Sequence, residues 1–193
     1  MASTVADVAT RARDVINDPG KVRWTDAELM RWVGDALDLI LKANKMLFVK
    51  RANFSTVVGA IQTIGFARAS EFVEVIGVPL CDRAALDAYS PGWQNGASGA
   101  IQHWLPSIET RLGFLVYPPS PGGVTLKVVY VEAPAEFTAL TDALPVADEY
   151  VGLLADFVIG MSEAKDAAHV NSGRAQTFMS AFAQKLAVDK PQA

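Results

Sequence analysis

Cysteine and histidine are scarce in this chain of 193 residues. Cys81 is the one cysteine, and His103 and His169 are the two histidines. A single cysteine excludes an intrachain disulfide and a thiolate metal cluster, and a zinc or iron site requires several such ligands to converge. The sequence therefore predicts no metal site and no cofactor. A reducing compartment fits this cysteine usage.

Runs of basic residues are also missing. Lys and Arg together number 17 against 21 Asp and Glu, which gives a formal net charge of -4. Tight binding of nucleic acid requires clustered cations that neutralise phosphates, so the sequence disfavours it. A mildly acidic surface would instead repel DNA and allow it to slide past.

No apolar run is long enough to cross a bilayer. The most apolar stretch, Val151 to Met161, has about half the required length and contains Asp156. The segment Met1 to Asp7 carries neither the basic nor the apolar region of a secretory signal. We therefore expect no membrane association and no secretion.

Apolar residues are nevertheless abundant, at 51% of the chain. A large core would account for this excess. A repeated partner surface would do so equally well, since obligate interfaces resemble a domain core cut in half. Composition leaves both interpretations open.

Apolar residues recur at helical spacing in four segments, which predicts helices at about 4–17, 25–45, 147–167 and 172–188. Asp18-Pro19-Gly20 ends the first helix, and Thr25-Asp26-Ala27-Glu28 is a capping box at the start of the second. The third helix is apolar around so much of its circumference that it must be covered on more than one side.

Between the second and third helices, residues 54–132 form a β-rich insertion. Short runs of Val, Ile, Phe and Thr alternate there with Gly, Pro and Ser, a pattern typical of strands and turns. We expect strands at 54–64, 71–78, 100–106, 112–117 and 124–132, with 118–123 as a tight reversal. The predicted fold is α+β: a four-helix bundle formed by N- and C-terminal helix hairpins, with a small antiparallel β insertion.

The sequence carries no recognisable catalytic motif. Gly96-Ala97-Ser98-Gly99 lacks the spacing and the strand-turn-helix frame of a nucleophile elbow, and neither helix nor lysine follows Gly122-Gly123 as a phosphate cradle requires. We therefore predict no catalytic residue and no enzyme. The alternative is a small hydrolase or ligand-binding domain that uses Ser98, His103 and a loop aspartate within hydrogen-bonding reach of each other.

Aromatic side chains supply the candidate interface residues. Aromatic residues anchor many protein interfaces but also pack in cores, and stacking on bases would require interleaved cations. The candidates are Trp93, Trp104, Phe114 and Tyr117 in the insertion, and Phe157, Phe178 and Phe182 in the last two helices.

An ordered series of short motifs spans nearly the whole chain. It comprises Thr4 to Val8, Arg23 to Leu29 with Trp32-Val33, Asp82 to Asp87, Pro91-Gly92-Trp93, Phe114 to Pro119, Val129-Tyr130 with Ala133-Pro134, Leu144-Pro145-Val146 leading to Tyr150, Ser162 to Ala167, and Ala181-Phe182. This succession resembles the head-to-tail adaptor, or connector, proteins of short-tailed phages, which are similar in role to the tail tubular protein A or gatekeeper family.

The resemblance implies a virion structural protein in which residues 1–193 form a single adaptor domain. In such proteins, twelve subunits form a ring that docks beneath the portal protein and receives the tail nozzle or tail tubular protein on its other side. The ring surrounds the channel through which genomic DNA leaves, without binding it specifically. The resemblance also implies a place in the neck or tail of the virion, and in the host cytoplasm during assembly. Another minor tail structural protein is the alternative.

Overall fold

The computed structural model describes residues 2–165 and 172–188, so His169 lies outside the described residues. The helices are α1 (Val5–Ile16), α2 (Asp26–Ala43), α3 (Arg83–Tyr89), α4 (Val151–Lys165) and α5 (Ser172–Val188). The strands are β1 (Val49–Ser55), β2 (Val58–Thr63), β3 (Ala69–Ile76), β4 (His103–Pro106), β5 (Gly113–Pro121) and β6 (Thr125–Glu132).

The chain divides into two compact units. The first, here called the helical unit, comprises Met1–Phe48 and Pro134–Ala193. The second, here called the strand unit, comprises Val49–Ala133.

Local capping chemistry sets the boundaries of the first two helices. The amide of Glu28 donates to Thr25 Oγ1 at 3.2 Å, and the amide of Thr25 donates to Glu28 Oε2 at 3.1 Å. This reciprocal arrangement confirms the capping box predicted at the start of α2. At the end of α1, Asn17 adopts a left-handed conformation with φ 54°, which turns the chain out of the helix.

Helix α4 lies at the centre of the helical unit and contacts α1, α2 and α5. Leu153, Val158 and Ile159 are buried on different sides of it. A helix with one apolar stripe could not bury side chains in all these directions. The prediction that this helix is covered on more than one side is therefore confirmed.

The strand unit consists of two antiparallel sheets. The first has the strand order β1-β6-β3, and the second has the order β2-β5-β4. Apolar residues from both sheets pack in one core, which includes Phe54, Phe72 and Tyr130 from the first sheet and Trp104 and Phe114 from the second. The two sheets are therefore packed face to face.

The second sheet is also covered on its other face. Leu105 and Leu115 point away from the first sheet and pack with Leu86 of α3 and with Trp93, which lies in the short 3-10 helix that follows. Strand β5 is consequently buried on both faces, with Phe114 and Val116 on one side and Leu115 on the other.

The predicted fold, a four-helix bundle with a small antiparallel insertion, was wrong. The described residues form a mixed α+β chain with five α-helices and two three-stranded antiparallel sheets. The physical reason is that the strand segment buries a core of its own between its sheets, together with a second cluster beneath α3. It is a compact unit and not a small extension of the helices.

One prediction about the strands was wrong, and another was right only in part. Residues 54–64 do not form one strand, because the chain leaves the first sheet after Ser55 and enters the second at Val58. The reversal predicted over 118–123 is confined to the end of that range, because the prolines continue β5, with Pro121 opposite Val58 and Ser120 opposite Gly59. The reversal occurs at Gly122 and Gly123, whose φ values of 88° and 73° suit glycine.

In the described part of the chain, no helix combines the length and apolar character needed to cross a membrane.

Candidate protein–protein interface

The four aromatic candidates in the strand unit contribute to its interior. Phe114 is fully buried, and its ring stacks on Phe72 with centroids 4.5 Å apart. Trp104 is buried in the same core. Trp93 is buried under the second sheet, where its Nε1 donates to Asp87 at 2.8 Å. Tyr117 packs edge-on against Trp93 and is the one candidate of these four that is half-buried.

The three candidates in the helical unit lie where α4 and α5 meet. Phe157 and Phe182 are buried, with ring centroids 5.0 Å apart. Phe178 is half-buried, and the guanidinium of Arg174 lies 5.9 Å from its ring centroid. Within the isolated chain, therefore, Tyr117 and Phe178 retain accessible surface, and an interface role for any of the seven stays a prediction.

Apolar side chains are instead exposed at one end of the strand unit. This end, here called the loop tip, consists of residues 56–58 and 121–123, where β1 passes to β2 and β5 passes to β6. Val57 is 57% exposed and Val58 is 75% exposed, and Ile61 follows on β2 at 56%. Sequence reasoning missed these residues because the segment 54–64 was interpreted as one continuous strand.

Buried polar side chains hold the loop tip in place. The hydroxyls of Thr56 and Ser120 are hydrogen-bonded at 2.7 Å, and Thr56 Oγ1 also accepts from the amide of Val124. Gln62, which is fully buried, accepts from the amide of Val57 and donates to the carbonyls of Val57 and Gly59. Because these bonds fix the backbone on both sides, Val57 and Val58 are presented by a rigid frame, which lowers the entropic cost of binding a partner.

A groove of ≈ 450 Å³ runs along α2 in the helical unit, here called the α2 groove. Helix residues from Ala27 to Asp38, at spacings of three and four, form one wall, and Pro134–Phe137 form the other. These helix residues lie on the opposite side of α2 from its buried stripe of Leu29, Val33 and Ile40. An accessible groove beside a packed helix is a second candidate interface.

The loop between α1 and α2 is closed by a buried ionic network. Arg13, which is 6% exposed, donates to Asp18 Oδ2 at 3.0 Å and to Asp26 Oδ1 at 2.9 Å. It also donates to the carbonyl of Trp24 at 2.9 Å. One guanidinium therefore connects the end of α1, the loop and the start of α2.

Asp18 is ionised within this network. Burial opposes its ionisation, but hydrogen bonds from the amides of Arg23, Trp24 and Val22, together with the charge of Arg13, hold the pKa of Asp18 below its usual value. The carboxylate thus accepts hydrogen bonds from three loop amides, which lie outside any helix or sheet that would otherwise provide their acceptors.

A second charged contact joins α2 to the end of α4. Lys165 donates to Glu28 and lies 5.6 Å from the ring centroid of Trp24 and 5.9 Å from that of Trp32. The hydrogen bond from Lys165, supported by those from Thr25, lowers the pKa of Glu28 to about 2. This cluster stabilises the helical unit, and with its pKa lowered in this way Glu28 stays ionised near neutral pH.

The residues of the hydrolase alternative are not joined in a catalytic arrangement. Ser98 is exposed in the loop before β4, and His103 lies in β4 with its ring 6.5 Å from that of Tyr117. Among the described residues, His103 Nδ1 is buried and has no hydrogen-bond partner, so it contacts neither Ser98 nor an aspartate in that way. In the same residues, no group of three or more His, Cys, Asp or Glu could hold a metal ion.

Comparison with known proteins identifies the family. The family model described as SU10 adaptor protein matches residues 3–193. No curated protein matches the chain. The match supports a phage head–tail adaptor and a structural role over an enzymatic one, whereas it does not show a specific similarity to tail tubular protein A. The chain therefore belongs to the SU10 adaptor protein family and is a phage adaptor structural protein, a component of the virion.

Proposed function

We propose that this protein forms an adaptor ring that joins the portal protein to the tail nozzle and surrounds the DNA exit channel. The observation that carries the proposal is the family match, which extends over residues 3–193 and so includes both compact units. In this proposal, the two units work together as a single adaptor domain.

The loop tip supports a role in contact with another virion protein. Val57, Val58 and Ile61 are exposed close together, and burial of such an apolar patch by a partner would be favourable. Their backbone is fixed by the buried hydrogen bonds of Thr56, Gln62 and Ser120. We assign to the loop tip the contact with one neighbour of the ring, the portal or the nozzle.

The charge of the chain supports passage of DNA without specific binding. A net charge of -4 does not attract the phosphate backbone, and each subunit of a ring contributes the same charge to it. A ring with this net charge would repel DNA weakly overall and would not retain it.

Co-expression with the portal protein encoded in the same phage genome tests the proposal. The expected result is a complex that electron microscopy shows as a ring stacked on the portal, together with detection of the chain in tailed particles by mass spectrometry. Absence of the chain from purified virions would contradict the proposal. Presence in virions without a portal contact would favour another minor tail protein.

A pair of variants tests the loop tip. Val58→Asp places a charge where an apolar contact is proposed, and we expect loss of the complex with the neighbour that covers the tip. Ile108→Asp is the matched control, because Ile108 is 80% exposed and lies in the turn that precedes the other end of β5. Equal binding by the two variants would exclude the tip from the interface.

A further inference from the structure

The α2 groove combines an apolar floor with an acidic rim. Met30 and Phe137 are half-buried in its walls, and Gly34 leaves the floor open, since a Cβ atom added there would meet nothing within 4 Å. Asp35 and Glu136 are exposed at its rim. Such a floor is suited to aliphatic stems, and such a rim is suited to cationic heads.

The carboxylates of the rim have no cations of their own. Asp35, Asp38 and Glu136 form no ion pair within the described ranges 2–165 and 172–188, and Arg31 is the one cation that lines the groove. The groove therefore carries an excess of negative charge that its own walls do not neutralise.

The strand unit carries the opposite feature. Arg51 on β1 and Lys127 on β6 share the outer face of the first sheet, because Arg51 pairs with Val129 and Asn53 pairs with Lys127. Both cations are exposed. We call these two residues the basic patch.

The basic patch is also unpaired. Arg51 lies on β1, which in the described part of the chain pairs with β6 alone, and there neither Arg51 nor Lys127 forms an ion pair. The carboxylates of this sheet face, Glu71 and Glu74, lie on β3 at the opposite edge. The β1 edge is therefore the basic side of the sheet.

We propose that the basic patch of one copy of this protein docks in the α2 groove of a second copy. Charge complementarity identifies a second copy as the occupant of the groove, because one chain contains both the acidic α2 groove and the basic patch and, within its described residues, forms no ion pairs at either. The aliphatic stems of Arg51 and Lys127 would cover the floor at Gly34, while their charged heads meet the carboxylates of the rim.

A contact of this kind joins two different surfaces and is therefore head-to-tail. Repeated around an axis it closes a ring, whereas a contact between identical patches would stop at a dimer. The inference rests on the proposed ring and adds to it the two surfaces that form the subunit contact.

Charge reversal of each surface tests the inference. One variant carries Asp35→Lys and Asp38→Lys, and the other carries Arg51→Glu and Lys127→Glu. Sedimentation velocity over a range of concentrations should show that each variant alone associates about tenfold or more weakly than the wild type, as expected when interfacial charge pairs are disrupted. An equimolar mixture should recover association, because each altered surface then meets a complementary one.

Filling the groove tests the same contact without a change of charge. Gly34→Leu introduces a side chain into open space, so the fold should persist, as circular dichroism would show, while association is lost. Gly34→Ala is the control and should associate as the wild type does, since one methyl group leaves most of the groove open.

Carbodiimide cross-linking of a mixture of ¹⁴N- and ¹⁵N-labelled protein identifies the partners. The expected product joins Lys127 of one isotope to Asp35, Asp38 or Glu136 of the other. Association that neither reversal nor Gly34→Leu weakens would overturn this contact and leave the ring intact. A chain that stays monomeric at all concentrations and when bound to the portal would overturn the contact and the ring together.

Discussion

Replacement of Arg13 by Met should strongly destabilise the helical unit. The substitution retains most of the side-chain volume but removes the cation from beside Asp18, which is 3% exposed. It also removes the donors to the carbonyl of Trp24 and to Asp26. Asp18 then remains buried with three amide donors and no counter-ion.

The expected loss follows from the burial of this pair. Removing one partner of a buried ion pair costs about 3–5 kcal/mol, because an uncompensated charge remains. The amides that still bind Asp18, and the contact of Asp26 with Lys21, favour the lower end of this energy range. We therefore expect a loss of about 3 kcal/mol in the free energy of unfolding, which changes the folding equilibrium by about a hundredfold. Arg11→Met, at an exposed position on the same helix, should change stability by less than about 0.5 kcal/mol.

Urea denaturation followed by tryptophan fluorescence measures this loss. Trp24 and Trp32 contact each other with ring centroids 5.5 Å apart and report on the region directly. If the uncompensated Asp18 carboxylate causes the penalty, the double variant Arg13→Met/Asp18→Asn should be no less stable than Arg13→Met. Equal stability of Arg13→Met and wild type would refute the reasoning.

The pH dependence provides a further test of the same network. The pKa of Asp18 is lowered in the folded state, so its contribution to stability is complete above the ordinary aspartate pKa of 3.8 and is lost as the pH falls through the folded-state pKa. In Arg13→Met the cation that favours the charged form is gone. Acidification should therefore narrow the difference in unfolding free energy between this variant and the wild type.

Three further predictions concern single side chains. Glu28→Gln keeps the geometry of a capping box but removes the carboxylate that is protonated at low pH. Thermal unfolding measured from pH 4.5 to about 2 should therefore show a smaller loss of stability in this variant than in the wild type. Phe114→Ala should cost about 3–5 kcal/mol in urea denaturation, whereas Tyr89→Ala, at an exposed position, should cost less than about 0.5 kcal/mol. Gly122→Ala should destabilise the protein more than Gly123→Ala. A Cβ atom at Gly122 would lie 2.9 Å from Val58 Cγ2, whereas a Cβ atom at Gly123 would meet nothing within 4 Å. A smaller effect at Gly122 than at Gly123 would contradict the described loop tip.

The helices could be predicted because their signals are local. The capping box at Thr25 and Glu28 and the apolar spacing of α2 depend on residues within one or two turns of each other. The uniform apolar character of α4 likewise indicated neighbours on several sides, and these are α1, α2 and α5.

The arrangement of the strands could not be predicted in the same way. Whether residues 54–64 form one strand or two depends on Thr56 bonding to Ser120 and Val124, which are more than sixty positions away. The run of prolines after Tyr117 has the composition of a turn, yet it pairs with β2 because the partner strand reaches it there. Such pairings are decided by the tertiary structure.

The candidate interfaces were equally hidden from the sequence. Aromatic residues were the natural candidates, but five of the seven are buried within the chain. In the sequence, the exposed valines of the loop tip have the pattern of ordinary strand residues. The acidic rim of the α2 groove involves Asp35 and Glu136, which are about a hundred positions apart in the chain. Exposure and proximity of this kind emerge only in three dimensions.

The pairing of Val49 with Val131 has an implication for how such a protein can diversify. The chain enters the strand unit at Val49 and leaves it at Ala133, so both connections to the rest of the molecule begin on two neighbouring strands, about 5 Å apart as paired strands are. A module with adjacent ends can be exchanged for another of any size without lengthening the connections on either side. Related phages could in this way replace the part that meets a new neighbour while they keep the helices, and a protein engineer could make the same exchange at Val49 and Ala133.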